Sequence, residues 1–199
     1  MNYQLERWEK LLRQIEIRFE RTDKFTTVTA SDLEQFESEM QIKLPVGYKE
    51  FCQMFGNGCF GESFVCIDCP SLQYLRIQSI SNSEIIEAAK SLFRLNPDYD
   101  PTVQELLGNA YVFGLGVSGT IFIFDLRTYD QTDEQYDVYA IDDDGHAYKV
   151  DRDFYSFIEN FCLGTALENF QQLFRIMTYE MEYPVNRFTA IPGIQEPSD

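Results

Sequence analysis

Apolar positions recur at helical spacing at both ends of the chain and at strand spacing in its middle. Leu5, Trp8, Leu11, Leu12, Ile15 and Phe19 follow three- and four-residue intervals, which puts them on one face of an amphipathic first helix. Ser31 followed by Glu34 has the spacing of a capping box, each side chain satisfying the other residue's backbone donor. Leu33, Phe36 and Met40 line one face of the helix that this box opens, and Pro45 bars its continuation. Tyr48, Phe51, Cys52 and Phe55 predict a third helix over 46–55. Gly56, Asn57 and Gly58 stop it, because Gly and Asn accept the left-handed backbone of helix ends. A strand is expected at 63–67. Ser81 with Glu84 predicts the start of another helix carrying Ile85, Ile86, Ala89 and Phe93, and 95–109 reads as loop, opening on "NPDYDP".

The period then changes to two. "YVFGL" and "TIFIFDL" flank "GVSG" and predict one hairpin; "DVYAI" and "HAYKV" flank "DDDG" and predict a second, with Asp-Gly supplying the positive backbone angles of a tight turn. Asp153 is placed to cap a helix with Phe154, Phe157, Ile158 and Phe161 on its face, ended by Gly164. Thr165 with Glu168 forms a further capping box, ahead of a final helix striped by Leu167, Phe170, Phe174, Met177 and Met181. The last residues, 183–199, hold three prolines and no period, so an irregular tail is expected there. With no internal repeat or linker, the order predicts one α+β domain over 1–182, an antiparallel sheet with helices packed on it and an extra C-terminal helix.

Composition sharpens the choice of partner. The chain has 199 residues, 44% hydrophobic and 25% charged, which suits one soluble domain with a sizeable core. Its net charge of −17 speaks against nucleic acid, whose binding needs cationic side chains to release counterions. An anionic membrane surface is disfavoured for the same reason. A basic protein partner is admitted, and long-range attraction would speed the encounter. The segment "MNYQLERWEKLLRQ" has no basic head followed by an apolar run, and no apolar stretch reaches the roughly 20 residues that span a bilayer, so a cytoplasmic location is expected. The five cysteines (52, 59, 66, 69 and 162) then read as free thiols.

Each compact motif reads better as structure than as chemistry. "GLGVSG" matches the dinucleotide fingerprint by letter, but a helix must follow to receive the pyrophosphate, and "TIFIFDL" is strand-like. With Gly145 as the sixth position of a calcium loop, the first ligand falls on Ala140, which cannot ligate, and the last on Asp151. Cys66 and Cys69 form a Cys-x-x-Cys pair without a second pair to complete a zinc site, and Pro70 follows where a redox motif would start a helix. His146 is the sole histidine and lies beside a turn with no recognisable nucleophile elbow. No enzyme activity, metal or cofactor is expected. The distributed signal is stronger: Asp125–Asp153 carries ten carboxylates against Arg127, Lys149 and Arg152, interleaved with Tyr129, Tyr136, Tyr139 and Tyr148. Carboxylates beside aromatic surface suit docking of a cationic protein, or equally a solvated sheet face with half-buried tyrosines.

The segment "LEQFESEMQIKLPVGYKEFCQMFGNGCFG" resembles the SUKH superfamily, also called the Smi/Knr family, in which a helix of the form I-x-x-F-E leads to LP-x-x-Y-x-x-F and a helix ending in NGG. Leu33, Phe36 and Glu37 stand in the first element, Leu44, Pro45, Tyr48 and Phe51 in the second, and Asn57 and Gly58 in the turn, where Cys59 replaces the second glycine. A Gly-rich turn into "IFIFDL" and a strand pair into "FYSFIENF" extend the resemblance over about 28–163. It implies helices on an antiparallel sheet and binding instead of catalysis. It further implies an immunity protein that neutralises a cognate toxin, often a nuclease, or alternatively a regulatory or scaffold module in signalling or cell-wall control. The residues expected on the docking face are Glu62, Asp68, Asp125, Tyr129, Asp130, Asp133, Glu134, Asp142, Asp143 and Asp144.

Overall fold

Buried aromatic rings on one face of a sheet and a smaller, mostly aliphatic cluster on the other organise the molecule. The computed structural model describes residues 3–21, 23–61, 63–72, 75–94, 101–165 and 186–192. Along the chain run α1 (Tyr3–Leu12), β1 (Glu16–Phe19), α2 (Ala30–Met40), α3 (Val46–Met54), β2 (Gly58–Phe60), β3 (Val65–Ile67), α4 (Leu75–Phe93) and α5 (Thr102–Gly108). There follow β4 (Ala110–Gly116), β5 (Ile121–Asp125), β6 (Val138–Ile141), β7 (Ala147–Asp151), α6 (Phe154–Ser156), which runs on as a π-helical turn Phe157–Cys162, and β8 (Arg187–Ala190). The strands form one sheet in the order β1-β8-β2-β3-β4-β5-β6-β7. Every pairing is antiparallel except β1 with β8. This is a single-domain α+β fold.

The sheet is covered on both sides, which is why β5 reads "IFIF" instead of alternating with polar residues. Phe122 and Phe124 join the core under α1, α2, α3 and α6, while Ile121 and Ile123 face the smaller core under α4 and α5. The stretch from Pro45 to Gly58 supplies the centre of the larger core. Tyr48, Phe51, Cys52 and Phe55 are all fully buried, with Phe51 and Phe55 stacked at 5.0 Å. Gly56 turns the chain with φ +67°, and a Cβ there would lie 1.9 Å from the Thr26 carbonyl oxygen, so glycine is required on both counts.

Several elements depart from the sequence expectations. The first helix ends at Leu12, and Glu16–Phe19 form an edge strand paired to β8. The capping box of α2 is Thr29 with Asp32, not Ser31 with Glu34: Thr29 Oγ1 accepts from the Asp32 amide at 3.1 Å, and Asp32 Oδ2 from the Thr29 amide at 3.4 Å. The expected start at Ser81 falls inside α4, and part of the expected 95–109 loop is α5. The tail contains a regular strand, β8, seated between β1 and β2. The cysteines are not all free: Cys59 and Cys66 face each other across β2 and β3 and are disulfide-bonded, while Cys52, Cys69 and Cys162 are buried thiols. Glu168 and the helix that the Thr165–Glu168 box would open lie outside the described residues. Both hairpins and the Asp153 cap stand as expected, Asp153 Oδ1 accepting from the Tyr155 amide at 3.1 Å.

Candidate partner-binding surface

The loop from β5 to β6 begins with a carboxylate turned inward. Asp125 is 3% exposed; its oxygens accept from Arg127 Nε and Nη2, both at 2.8 Å, and from the Arg127 amide at 3.1 Å. Arg127 reaches on to Glu105 at 2.8 Å, and the hydrogen bonds it donates to Asp125 make it hold its proton more tightly than usual. Tyr129 packs on Tyr136 with ring centres 4.9 Å apart and is half-buried against the core. A bridge between Asp130 and Gln135 closes the loop, and Glu134 adopts φ +53° while its carbonyl accepts from the Val46 amide at 3.1 Å. The loop is thus pinned to the start of α3 with Asp130, Asp133 and Glu134 exposed. The Thr132 amide donates to Asp130 Oδ1 at 2.8 Å and holds that carboxyl below its usual range.

Arg152 sits among three of these carboxylates, 3.4 Å from Asp130, 3.3 Å from Asp133 and 3.2 Å from Asp137. Asp137 also takes Lys149 at 2.7 Å. Sequence reading missed this cluster, although three cations among ten carboxylates in one segment were its visible sign. Each of those three cations is engaged by carboxylates of the protein itself, Arg152 partly by the exposed Asp130 and Asp133, and ten carboxylates against three cations leave the segment a net negative excess.

A second acidic group lies at the far end of β6. Asp142 has no exposed surface; it accepts from the His146 amide at 2.8 Å and Tyr148 Oη at 3.1 Å, with His146 Nδ1 at 3.3 Å. Burial and then the Asp142 charge push the Tyr148 hydroxyl up to about 12. Asp143 and Asp144 are exposed at the turn, which Gly145 closes with φ +84°; a Cβ there would lie 2.8 Å from the Phe93 ring. β6 has four residues, so roughly 14 Å separates this turn from the Asp130 loop.

The ten expected docking residues therefore divide. Asp130, Asp133 and Glu134 gather at one end of β6 with Tyr129 beside them, and Asp143 and Asp144 at the other. Asp125 and Asp142, expected on the face, do not lie on it, because they are buried and internal hydrogen bonds occupy their carboxylates. Asp68 stands apart, just past β3, and Glu62 lies outside the described residues. The glycine-rich turn Val117–Gly119 runs directly into β5, so no helix start is there for a pyrophosphate. Among the described residues, no group of three or more His, Cys, Asp or Glu is arranged to hold a metal, and no helix is long and apolar enough to cross a membrane.

The match to known proteins falls on this part of the structure. The SMI1 / KNR4 family (SUKH-1) matches residues 27–160, about two-thirds of the chain. The chain belongs to the SMI1 / KNR4 family. No curated protein and no solved structure is similar enough to match. The SMI1 / KNR4 match takes in α2 through most of the π-helical turn after α6, with β2 to β7 between them. It includes both acidic ends of β6 and leaves α1, β1 and β8 outside. The SMI1 / KNR4 family is in general one of non-catalytic binding proteins.

Proposed function

We propose that this protein is an immunity protein that binds a cognate basic toxin domain, with a nuclease as the best-fitting class, and blocks its active surface. The partner is a cationic protein and the encounter takes place in the cytoplasm. The observation that carries the reading is a net charge of −17 on a family fold of binding proteins, with ten carboxylates against Arg127, Lys149 and Arg152 in the segment 125–153. A nuclease holds a polyphosphate in a cationic groove, and displayed carboxylates compete for the same groove. Blockade needs no bond-making: it needs an acidic surface held in place, and the Asp130–Gln135 bridge together with the Val46–Glu134 hydrogen bond holds one end of it.

The test is co-expression with toxin domains encoded beside its gene. The expected result is restored growth and a complex that co-purifies. Continued killing in the presence of abundant folded protein overturns the reading, and an isolated gene whose product instead captures components of a signalling pathway favours the regulatory module.

A further inference from the structure

A cleft of about 70 Å³ opens between α2, α4 and β4. Phe36, Met40, Ile85 and Leu115 give it apolar walls, and Leu115 is 39% exposed. Asp68, Asn82 and Tyr111 give it a polar side.

The backbone around Asp68 is fixed at three points. Its amide donates to the Phe113 carbonyl at 3.0 Å, its carbonyl accepts from the buried Tyr48 hydroxyl, and the next amide, Cys69, donates to Asn57 Oδ1 at 2.5 Å. Its carboxylate, in contrast, receives no hydrogen bond and meets no cation among the described residues. The side chain is exposed, yet enough protein surrounds it that burial raises its carboxyl above the usual value. Asn82 spends its Nδ2 on the Val112 carbonyl at 2.9 Å, which leaves Oδ1 as a second acceptor. The Gln78 carboxamide is held in place, its Oε1 accepting from the Ser71 amide at 2.8 Å and its Nε2 donating to the Cys69 carbonyl at 3.0 Å. The Tyr111 ring stands edge-on to Phe36 at 6.1 Å.

We propose that this cleft takes a lysine or arginine side chain of a protein partner. The apolar walls suit the aliphatic stem, and the head meets the Asp68 carboxylate, Asn82 Oδ1 and the Tyr111 ring. The cleft presents a carboxylate and a carbonyl oxygen with no positive charge among its described lining residues, and a chain of net charge −17 draws cationic groups toward it. Only the source of the cation rests on the proposed function. Recognition by the cleft is a property of the protein alone.

The test is an NMR titration of the labelled protein with capped tripeptides centred on arginine, on lysine and on citrulline, which keeps the shape of arginine without its charge. The expected result is saturable shifts at the amides of Asp68, Asn82, Tyr111 and Leu115 with the first two peptides and none with citrulline. Asp68→Asn should weaken binding about tenfold or more, and Leu115→Ser about threefold or more by shortening the apolar wall. Asp143→Asn should leave the affinity unchanged. Equal shifts with citrulline, an unaltered affinity in Asp68→Asn, or shifts confined to 143–144 overturn the proposal. So does binding of spermidine without binding of either cationic peptide, which would assign the cleft to a free polyamine. Because these probes contain no toxin, failed rescue leaves a positive titration standing, and a failed titration leaves a successful rescue standing.

Discussion

Glu37 and Asp68 are two acidic residues beside the same aromatic core with opposite effects on the fold. Glu37 is buried and fully used: Oε1 accepts from the Leu44 amide at 2.7 Å and Lys49 Nζ at 3.3 Å, and Oε2 lies 3.5 Å from Lys43 Nζ. Glu37→Ala strands the buried Leu44 amide and should cost about 1–3 kcal/mol in urea unfolding, with Glu37→Gln, which keeps an acceptor, costing less. Asp68 has no such partners among the described residues, and its raised carboxyl makes the folded state the better proton binder. Its charge therefore costs stability once the pH exceeds the folded value, and costs nothing below the unfolded value of about 4, where both states are protonated. Asp68→Asn should be more stable than the natural protein at pH 8, with the gap closing as the pH falls through the aspartate range. Urea titrations across pH read this directly, and equal stabilities at pH 8 would refute it.

At the scale of elements, what the sequence revealed was local and what it hid was not. The helix from Val46 and the two hairpins rest on neighbouring residues, so spacing and turn chemistry sufficed to find them. β8 reads "RFTA" between Pro184 and Pro192, and its partners β1 and β2 lie more than a hundred residues away, so no local period marks it. Ile15, Ile17 and Phe19 alternate as a strand while Ile15 and Phe19 also extend a helical stripe, and only pairing with β8 decides between them. At the α2 cap, two overlapping registers compete, and Asp32 answers Thr29 at the spacing where Glu is usual. β8 nevertheless anchors much of the core: the Phe188 ring is fully buried and lies 4.9 Å from Phe60, 5.6 Å from Phe55 and 5.8 Å from Phe51. Phe188→Ala should cost about 3–5 kcal/mol. Since β8 is the one strand β1 pairs with among the described residues, hydrogen exchange at residues 16–19 should accelerate in step with 187–190. Intact protection in both strands would show that the ring is dispensable.

Over the whole molecule, charge sorts by place. Sequence reading foresaw an acidic second half but not its division, because the alternation of loop and strand that puts carboxylates at both ends of β6 is visible only once the sheet is assembled. Nor could it separate Asp142, enclosed by His146 and Tyr148, from its exposed neighbour Asp143. A field from many dispersed charges and a contact at one end predict different kinetics. Glu134→Gln and Asp143→Asn each remove one exposed charge, one at either end of β6, and neither should shift stability by more than about 0.5 kcal/mol. With the proposed partner domain recovered by co-expression, both substitutions should slow association, since steering depends on summed charge. Only the substitution at the docking end should also speed dissociation, because a contact is lost there and not at the other. The slowing should fade as salt rises, the screening length falling from about 30 Å at about 0.01 M to about 8 Å at about 0.15 M. Stopped-flow mixing at both ionic strengths separates the two effects, and an association rate indifferent to salt would mean that the net charge of −17 plays no part in finding the partner.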